Sequence, residues 1–175
     1  ASGLTGEKLM DYVRQEFKKG ERRGPENSTL IIRDNIIFGF HRLAINGFKN
    51  SASGQPLFKN NCTLICNGEI YNWKELIRLS NSPCNTGSDC EIIIDLYKKY
   101  GINETLQLLD GVFAFVLVDH TDKKMFVARD AIGIRPLFMW YNNIYLDTIL
   151  FSSELKMGTG LLKPRMQPQP FPSVC

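Results

Sequence analysis

Apolar side chains recur four residues apart at Leu9, Val13 and Phe17, with Met10 beside them, and Gly20 follows. That spacing predicts one amphipathic helix, with Thr5 as its N-cap and the glycine as its stop. The period then changes. Residues 29–33 (TLIIR) and 36–41 (IIFGFH) are rich in β-branched and aromatic side chains, and Asp34-Asn35 between them fits a two-residue hairpin turn. A further strand, 62–66 (CTLIC), runs into Asn67-Gly68. Residues 73–79 predict a short helix. Ser88 opens a clearer one, in which Glu91 completes the capping-box pattern, Ile92, Ile93, Leu96 and Tyr97 supply an apolar face, and Gly101 ends it. A second short helix over residues 103–109 precedes a buried β pair, Val112–Asp119 and Lys124–Ala128, around the polar turn His120–Lys123. Short strands fill 136–152. Residues 157–175 hold four of the eight prolines and no periodicity, as a linker would. Helix, strands, helices and strands with hairpins between neighbours predict an α+β fold of antiparallel sheets covered by helices.

Composition acts mainly by exclusion. With 175 residues, 43% hydrophobic and 22% charged, the chain holds one domain and enough apolar surface to offset chain entropy. Its longest apolar run, Val112 to Val118, is far below the ~20 residues of a membrane-spanning helix. Lys+Arg 21 against Asp+Glu 18 gives a net charge of +3, which says little about partners. The basic cluster Arg14, Lys18, Lys19, Arg22 and Arg23 lacks interleaved aromatics and reads as a solvated helix end, so no nucleic acid is expected. Five cysteines cannot all pair internally, and His41 and His120 are the only histidines. Reduced thiols in a cytoplasmic protein, with no bound metal, are the expectation.

No phosphate-binding loop, dinucleotide fingerprint or HExxH motif is present, so nothing supports ATP chemistry within the chain. Short polar clusters at strand ends remain. Arg42 follows a strand and can grip a carboxylate bidentately. Asn67-Gly68-Glu69 offers an amide, an approachable backbone N–H and a carboxylate, a set able to stabilise an oxyanion and to hold an ammonium group. Asp89 opens a helix and can pair with an amine. Together these groups complement a small zwitterion. Each also has a plainer reading: Asn-Gly as a hairpin turn, Asp89 as a favourable charge at a helix start, Arg42 as a surface residue.

Eight segments then occur in one order: RGP (23–25), FHRLAI (40–45), GQP (54–56), CNGEIYN (66–72), GSDCEII (87–93), LDGVFAFVLVD (109–119), RDAIGIRPLF (129–138) and FSSELK (151–156). They resemble the glutaminase domain of asparagine synthetases, a branch of the class II glutamine amidotransferases. The resemblance implies an N-terminal-nucleophile hydrolase fold, two packed antiparallel sheets between helical layers, over residues 1–156. Residues 157–175 would begin a linker to a synthetase domain. It also implies glutamine hydrolysis to glutamate, with the ammonia passed on for asparagine formation. Arg42 would then bind the glutamine carboxylate, and backbone of Leu43, Ile45 and Asn46 would line the pocket. Asn67 and Gly68 would form the oxyanion hole, while Glu69 and Asp89 would take the amino end. No cofactor is implied for this chain; ATP and Mg would serve only the synthetase domain. Glutamine and that domain are the implied partners, with a homodimer left open.

One departure stands against these matches. Such enzymes begin with Cys-Gly-Ile and an apolar strand, the cysteine attacking the amide while its α-amine acts as base. This chain opens Ala-Ser-Gly-Leu-Thr-Gly-Glu-Lys, which resembles the stretch after that strand. The expectation is a chain without its nucleophile and first strand, inactive as it stands. The alternatives are a catalytically silent glutamine-binding or scaffolding module, or the glutaminase domain of another class II amidotransferase.

Overall fold

A computed structural model describes residues 6–43, 53–142, 148–160 and 169–170. Helix α1 (Gly6–Lys18) is the amphipathic segment expected, while its proposed cap Thr5 lies outside the described residues. Strands β1 (Asn27–Arg33) and β2 (Ile36–Arg42) pair antiparallel from Asn27↔Arg42 to Arg33↔Ile36. Asp34 and Asn35 both have positive φ (48° and 63°), as a tight turn matched to strand twist requires. Phe17 of α1 stacks on His41 of β2 with ring centroids 3.9 Å apart, and Phe17 also fills the space where Gly39 lacks a side chain.

The central sheet has the order β3-β4-β5-β6, formed by Leu57–Lys59, Cys62–Ile70, Gly111–Asp119 and Lys124–Arg129. Asn60 and Asn61, with φ of 50° and 54°, turn β3 into β4. The expected strand 62–66 does not end at Asn67-Gly68. It continues to Ile70, pairing with β5 throughout, so the hairpin-turn reading of Asn67-Gly68 is corrected. Strand β5 is apolar on both faces because it is interior to the sheet and covered, which explains its unbroken hydrophobic run.

Helices α2 (Trp73–Ser80), α3 (Ile92–Tyr100) and α4 (Ile102–Leu108) follow β4. Ile92, Ile93, Ile94 and Leu96 of α3 share one core with Leu64, Cys66, Ile70, Phe113, Phe115 and Leu117 of the sheet. Full burial of each such side chain stabilises the fold by about 1.5–3 kcal/mol. Gly101 ends α3 with φ 83°, its N–H donating to Tyr97 O.

The capping box expected at Ser88 is absent. A 3-10 turn, Asp89–Glu91, precedes α3, and Ser88 makes no side-chain cap. The carboxylate of Glu91 instead accepts from Lys59 Nζ (2.6 Å), Thr86 N (2.8 Å), Thr86 Oγ1 (2.7 Å) and Asn85 N (3.0 Å). A charge-assisted bond to a partly buried lysine outweighs one reciprocal cap. A third sheet, β8-β7-β9, comprises Thr148–Ser152, Phe138–Asn142 and Gln169–Pro170.

Candidate active site

The geometry of the candidate site follows from how β4 spends its backbone hydrogen bonds. Phe113 of β5 donates its N–H to Asp130 Oδ2 (3.2 Å) and accepts from Asp130 N (2.7 Å). Its partner Gly68 is therefore in a non-hydrogen-bonded pair, and the Gly68 N–H points to the opposite edge of β4. Cys66 and Ile70 face that same edge, being two residues away on either side. There Cys66 N donates to Gln55 Oε1 (2.6 Å), Gln55 Nε2 donates to Cys66 O (2.9 Å), and Ile70 N donates to Asp89 Oδ2 (2.7 Å). The Gly68 N–H thus lies between two side-chain clamps. Glycine is required here because a Cβ would come within 2.2 Å of Val112 O and 2.6 Å of Phe113 Cα.

Asn67 is adjacent. Its Nδ2 is buried and hydrogen-bonds to nothing among the described residues. An unsatisfied buried amide costs about 1–3 kcal/mol, and such a group needs a reason. Poised next to an outward backbone N–H, it is a donor without an acceptor.

Arg42 reaches the same region from the first sheet. Its Nη2 donates to Ser53 Oγ (2.8 Å), and its Nε lies 3.8 Å from Glu26 Oε2. Ser53 is two residues from Gln55, so segment 53–55 links the Arg42 side chain to the strand bearing Asn67. Asp89, only 5% exposed, stands at the start of the 3-10 turn before α3. The structure therefore places Asn67, Gly68 and Glu69 consecutively on β4, ties Asp89 to Ile70 and connects Arg42 through 53–55. Leu43 is 61% exposed, and Ile45 and Asn46 lie outside the described residues. The sequence points to neither Gln55 nor Ser53: Gln55 lies in the GQP segment, the one signal for it, and Ser53 carries none.

Three buried carboxylates, Glu91, Asp95 and Asp130, fix the surroundings. Burial alone would raise the Glu91 carboxyl, but Lys59 and the Thr86 and Asn85 donors bring it down to about 2. Asp95 is pushed up by burial although Lys59 Nζ lies 2.8 Å away, and the two carboxylates together hold the lysine's pKa above its usual range. At the other end of β5, Asp130 stays low despite burial because Ile134 N, Arg135 N and Phe113 N donate to it. The described cysteines are unpaired. Burial raises the Cys62 and Cys84 thiols, and contact with Cys66, then burial, raises Cys90. Among the described residues no cluster of three or more histidine, cysteine or acidic groups could hold a metal ion. No described helix is long and apolar enough to cross a membrane.

Residues 2–170 match the family described as Glutamine amidotransferase domain. The chain belongs to that family. Among relatives of this amidotransferase domain, the asparagine synthetase [glutamine-hydrolyzing] of Zea mays is 44% identical over 138 residues, covering 77% of this chain and 22% of that protein. The probable asparagine synthetase [glutamine-hydrolyzing] of Acanthamoeba polyphaga mimivirus is 40% identical over 143 residues, covering 79% of this chain and 26% of that one. This domain thus spans about a quarter of the length of the curated relatives it matches. Among solved structures, the glutamine phosphoribosylpyrophosphate amidotransferase from B. subtilis, complexed with ADP and GMP, superposes with a TM-score of 0.55 at 30% identity. The superposition covers 69% of this chain and 28% of that one. The α+β, N-terminal-nucleophile hydrolase fold expected from the resemblance is thereby supported, with the described strands falling into three sheets rather than two.

Proposed function

We propose that this domain binds glutamine and forms the ammonia-releasing part of a glutamine-hydrolysing asparagine synthetase. The observation that carries the reading is the buried, unpartnered Nδ2 of Asn67 beside the outward N–H of Gly68. In amide hydrolysis by a thiolate, the carbonyl carbon gains a C–S bond and its oxygen takes up the displaced electron pair. Two donors aimed at that oxygen stabilise the charge as it forms. Collapse expels the amide nitrogen as ammonia once it has taken a proton. Water then cleaves the thioester to give glutamate. In this reading the Arg42 guanidinium pairs with the substrate carboxylate, and Glu69 and Asp89 take its ammonium group.

Three of the described thiols, Cys62, Cys84 and Cys90, suit no nucleophilic role. Burial or a thiol neighbour holds Cys62, Cys84 and Cys90 in the protonated form, and a protonated thiol is a poor nucleophile. In this proposal the 175-residue polypeptide by itself binds glutamine without hydrolysing it. Asparagine formation, with ATP and Mg, belongs in this proposal to the rest of a longer protein. Calorimetric titration of glutamine, paired with a glutamate-release assay, tests both parts. Binding that is lost in Arg42→Ala, with no glutamate formed, is expected. Glutamate release abolished by Arg42→Ala would overturn the proposed inactivity, and absence of binding would overturn the glutamine site.

A further inference from the structure

We infer that Gln55 is a positioning residue for the two oxyanion donors, acting through the Cys66 peptide groups. This rests on the reading of Asn67 and Gly68 given above. Strands β3 and β4 pair at Leu57↔Leu64, Phe58↔Thr63 and Lys59↔Cys62. Continuing that register sets residue 55 opposite Cys66. Main-chain pairing nevertheless ends at Leu57↔Leu64. The Gln55 side chain replaces it. Its carboxamide has the donor and acceptor of a peptide group, and it satisfies both the N–H and the C=O of Cys66 at 2.6 and 2.9 Å.

The consequence falls on the next two residues. On the β5 side, β4 is held by main-chain pairing through Ile70. On the other side, the last main-chain pair is Leu57↔Leu64, and the carboxamide is the clamp that follows. The orientation of the Cys66 peptide sets where the Asn67 side chain leaves the strand and where the Gly68 N–H is aimed. Gln55 is itself only 9% exposed, so its own geometry is fixed by packing rather than by solvent. Ser53, two residues earlier, accepts from Arg42. One short segment thus orients the oxyanion donors and the carboxylate-binding arginine together. Loss of a supporting contact of this kind typically weakens ligand binding about tenfold or more.

The test uses the 175-residue chain with Gln55→Met, which keeps side-chain length but cannot hydrogen-bond, and Gln55→Asn, which keeps the amide on a shorter stem. Thr105→Ala serves as a stability control: it removes a buried hydroxyl that donates to Gly101 O (2.7 Å) on α4. Two quantities are read: the NMR resonances of the Asn67 carboxamide and Gly68 amide in the free protein, and glutamine affinity by calorimetry. Both Gln55 variants are expected to displace those resonances and weaken glutamine binding about tenfold, while Thr105→Ala moves neither. If wild-type protein binds no glutamine but the resonances still move only with Gln55, the glutamine reading fails and the positioning role stands. If Gln55→Met does not fold, Gln55→Asn decides alone. Unmoved resonances with unchanged affinity in a folded Gln55 variant would overturn the inference. So would equal displacement by Thr105→Ala.

Discussion

The two edges of β4 are held by different means. Toward β5, nine residues pair strand to strand, from Cys62↔Asp119 to Ile70↔Gly111. Toward β3, strand pairing covers three residues, after which the Gln55 carboxamide and the Asp89 carboxylate take over as partners. The first edge is a packing element whose loss unfolds the domain. On the second edge, side chains stand where backbone would, beside the peptide N–H and the neighbouring amide that we propose as oxyanion donors. In the proposed function, chemistry sits where the sheet passes its hydrogen bonding from main chain to side chain.

The β5 edge should break most severely at Gly68→Ala. A Cβ placed 2.2 Å from Val112 O forces backbone apart, and a loss of about 3 kcal/mol or more in urea unfolding is expected, with little soluble protein. The β3 edge has an ionic anchor in Lys59, bound to Glu91 and Asp95. Because the Glu91 carboxyl lies near 2 rather than its ordinary 4.5, its contribution is complete above pH 4.5 and is lost as the pH falls toward 2. Stability should therefore drop over that window by up to roughly 3 kcal/mol from this group. In Glu91→Gln that part of the acid transition should vanish. A transition of unchanged steepness would show that Glu91 is not the group responsible.

Smaller effects separate binding from folding on the second edge. Asp89→Asn keeps an oxygen for Ile70 N but removes the charge, so stability should change by no more than about 1 kcal/mol. Glutamine affinity should nevertheless fall about tenfold or more. The smallest change in stability is expected from Asn67→Ala. Removing an unsatisfied buried amide should leave urea stability within about 1 kcal/mol of wild type, while glutamine binding is lost. A large destabilisation would mean that the amide supports the fold rather than a ligand.

Local chemistry made some elements readable and misled at others. Asp34-Asn35 turns the chain as its composition indicates, since nothing competes with pairing of its flanking strands. Asn67-Gly68 carries the same turn signal yet stays extended, because residues 62–70 match 111–119 across the sheet and long-range pairing overrides a local preference. Likewise Ser88 and Glu91 spell a capping box, but a lysine 32 residues away captures the glutamate. The short strand β3 and the Asn60-Asn61 turn carry too few apolar positions to stand out. Arg42, Asn67, Gly68, Glu69 and Asp89 were legible as candidates. The partnership of Gln55 with Cys66 was not, since it depends on a register that only the folded sheet defines.

Helix α1 also meets the chain far from its own position. Tyr12 donates its hydroxyl to Gly160 O (2.6 Å), and Gly160 N donates to Glu16 Oε2 (3.0 Å), contacts that span 148 and 144 residues. Glu16 is only 6% exposed, and a Cβ on Gly160 would strike its carboxylate at 2.2 Å. During synthesis on the ribosome, α1 emerges well before the segment that covers Glu16. Its ring stacking on β2 is available early, whereas closure against residue 160 must wait for nearly the whole domain. Loop-closure entropy delays such distant contacts further. Helix α1 is thus sealed late, and a nascent chain paused near residue 150 would carry it docked on one side and open on the other.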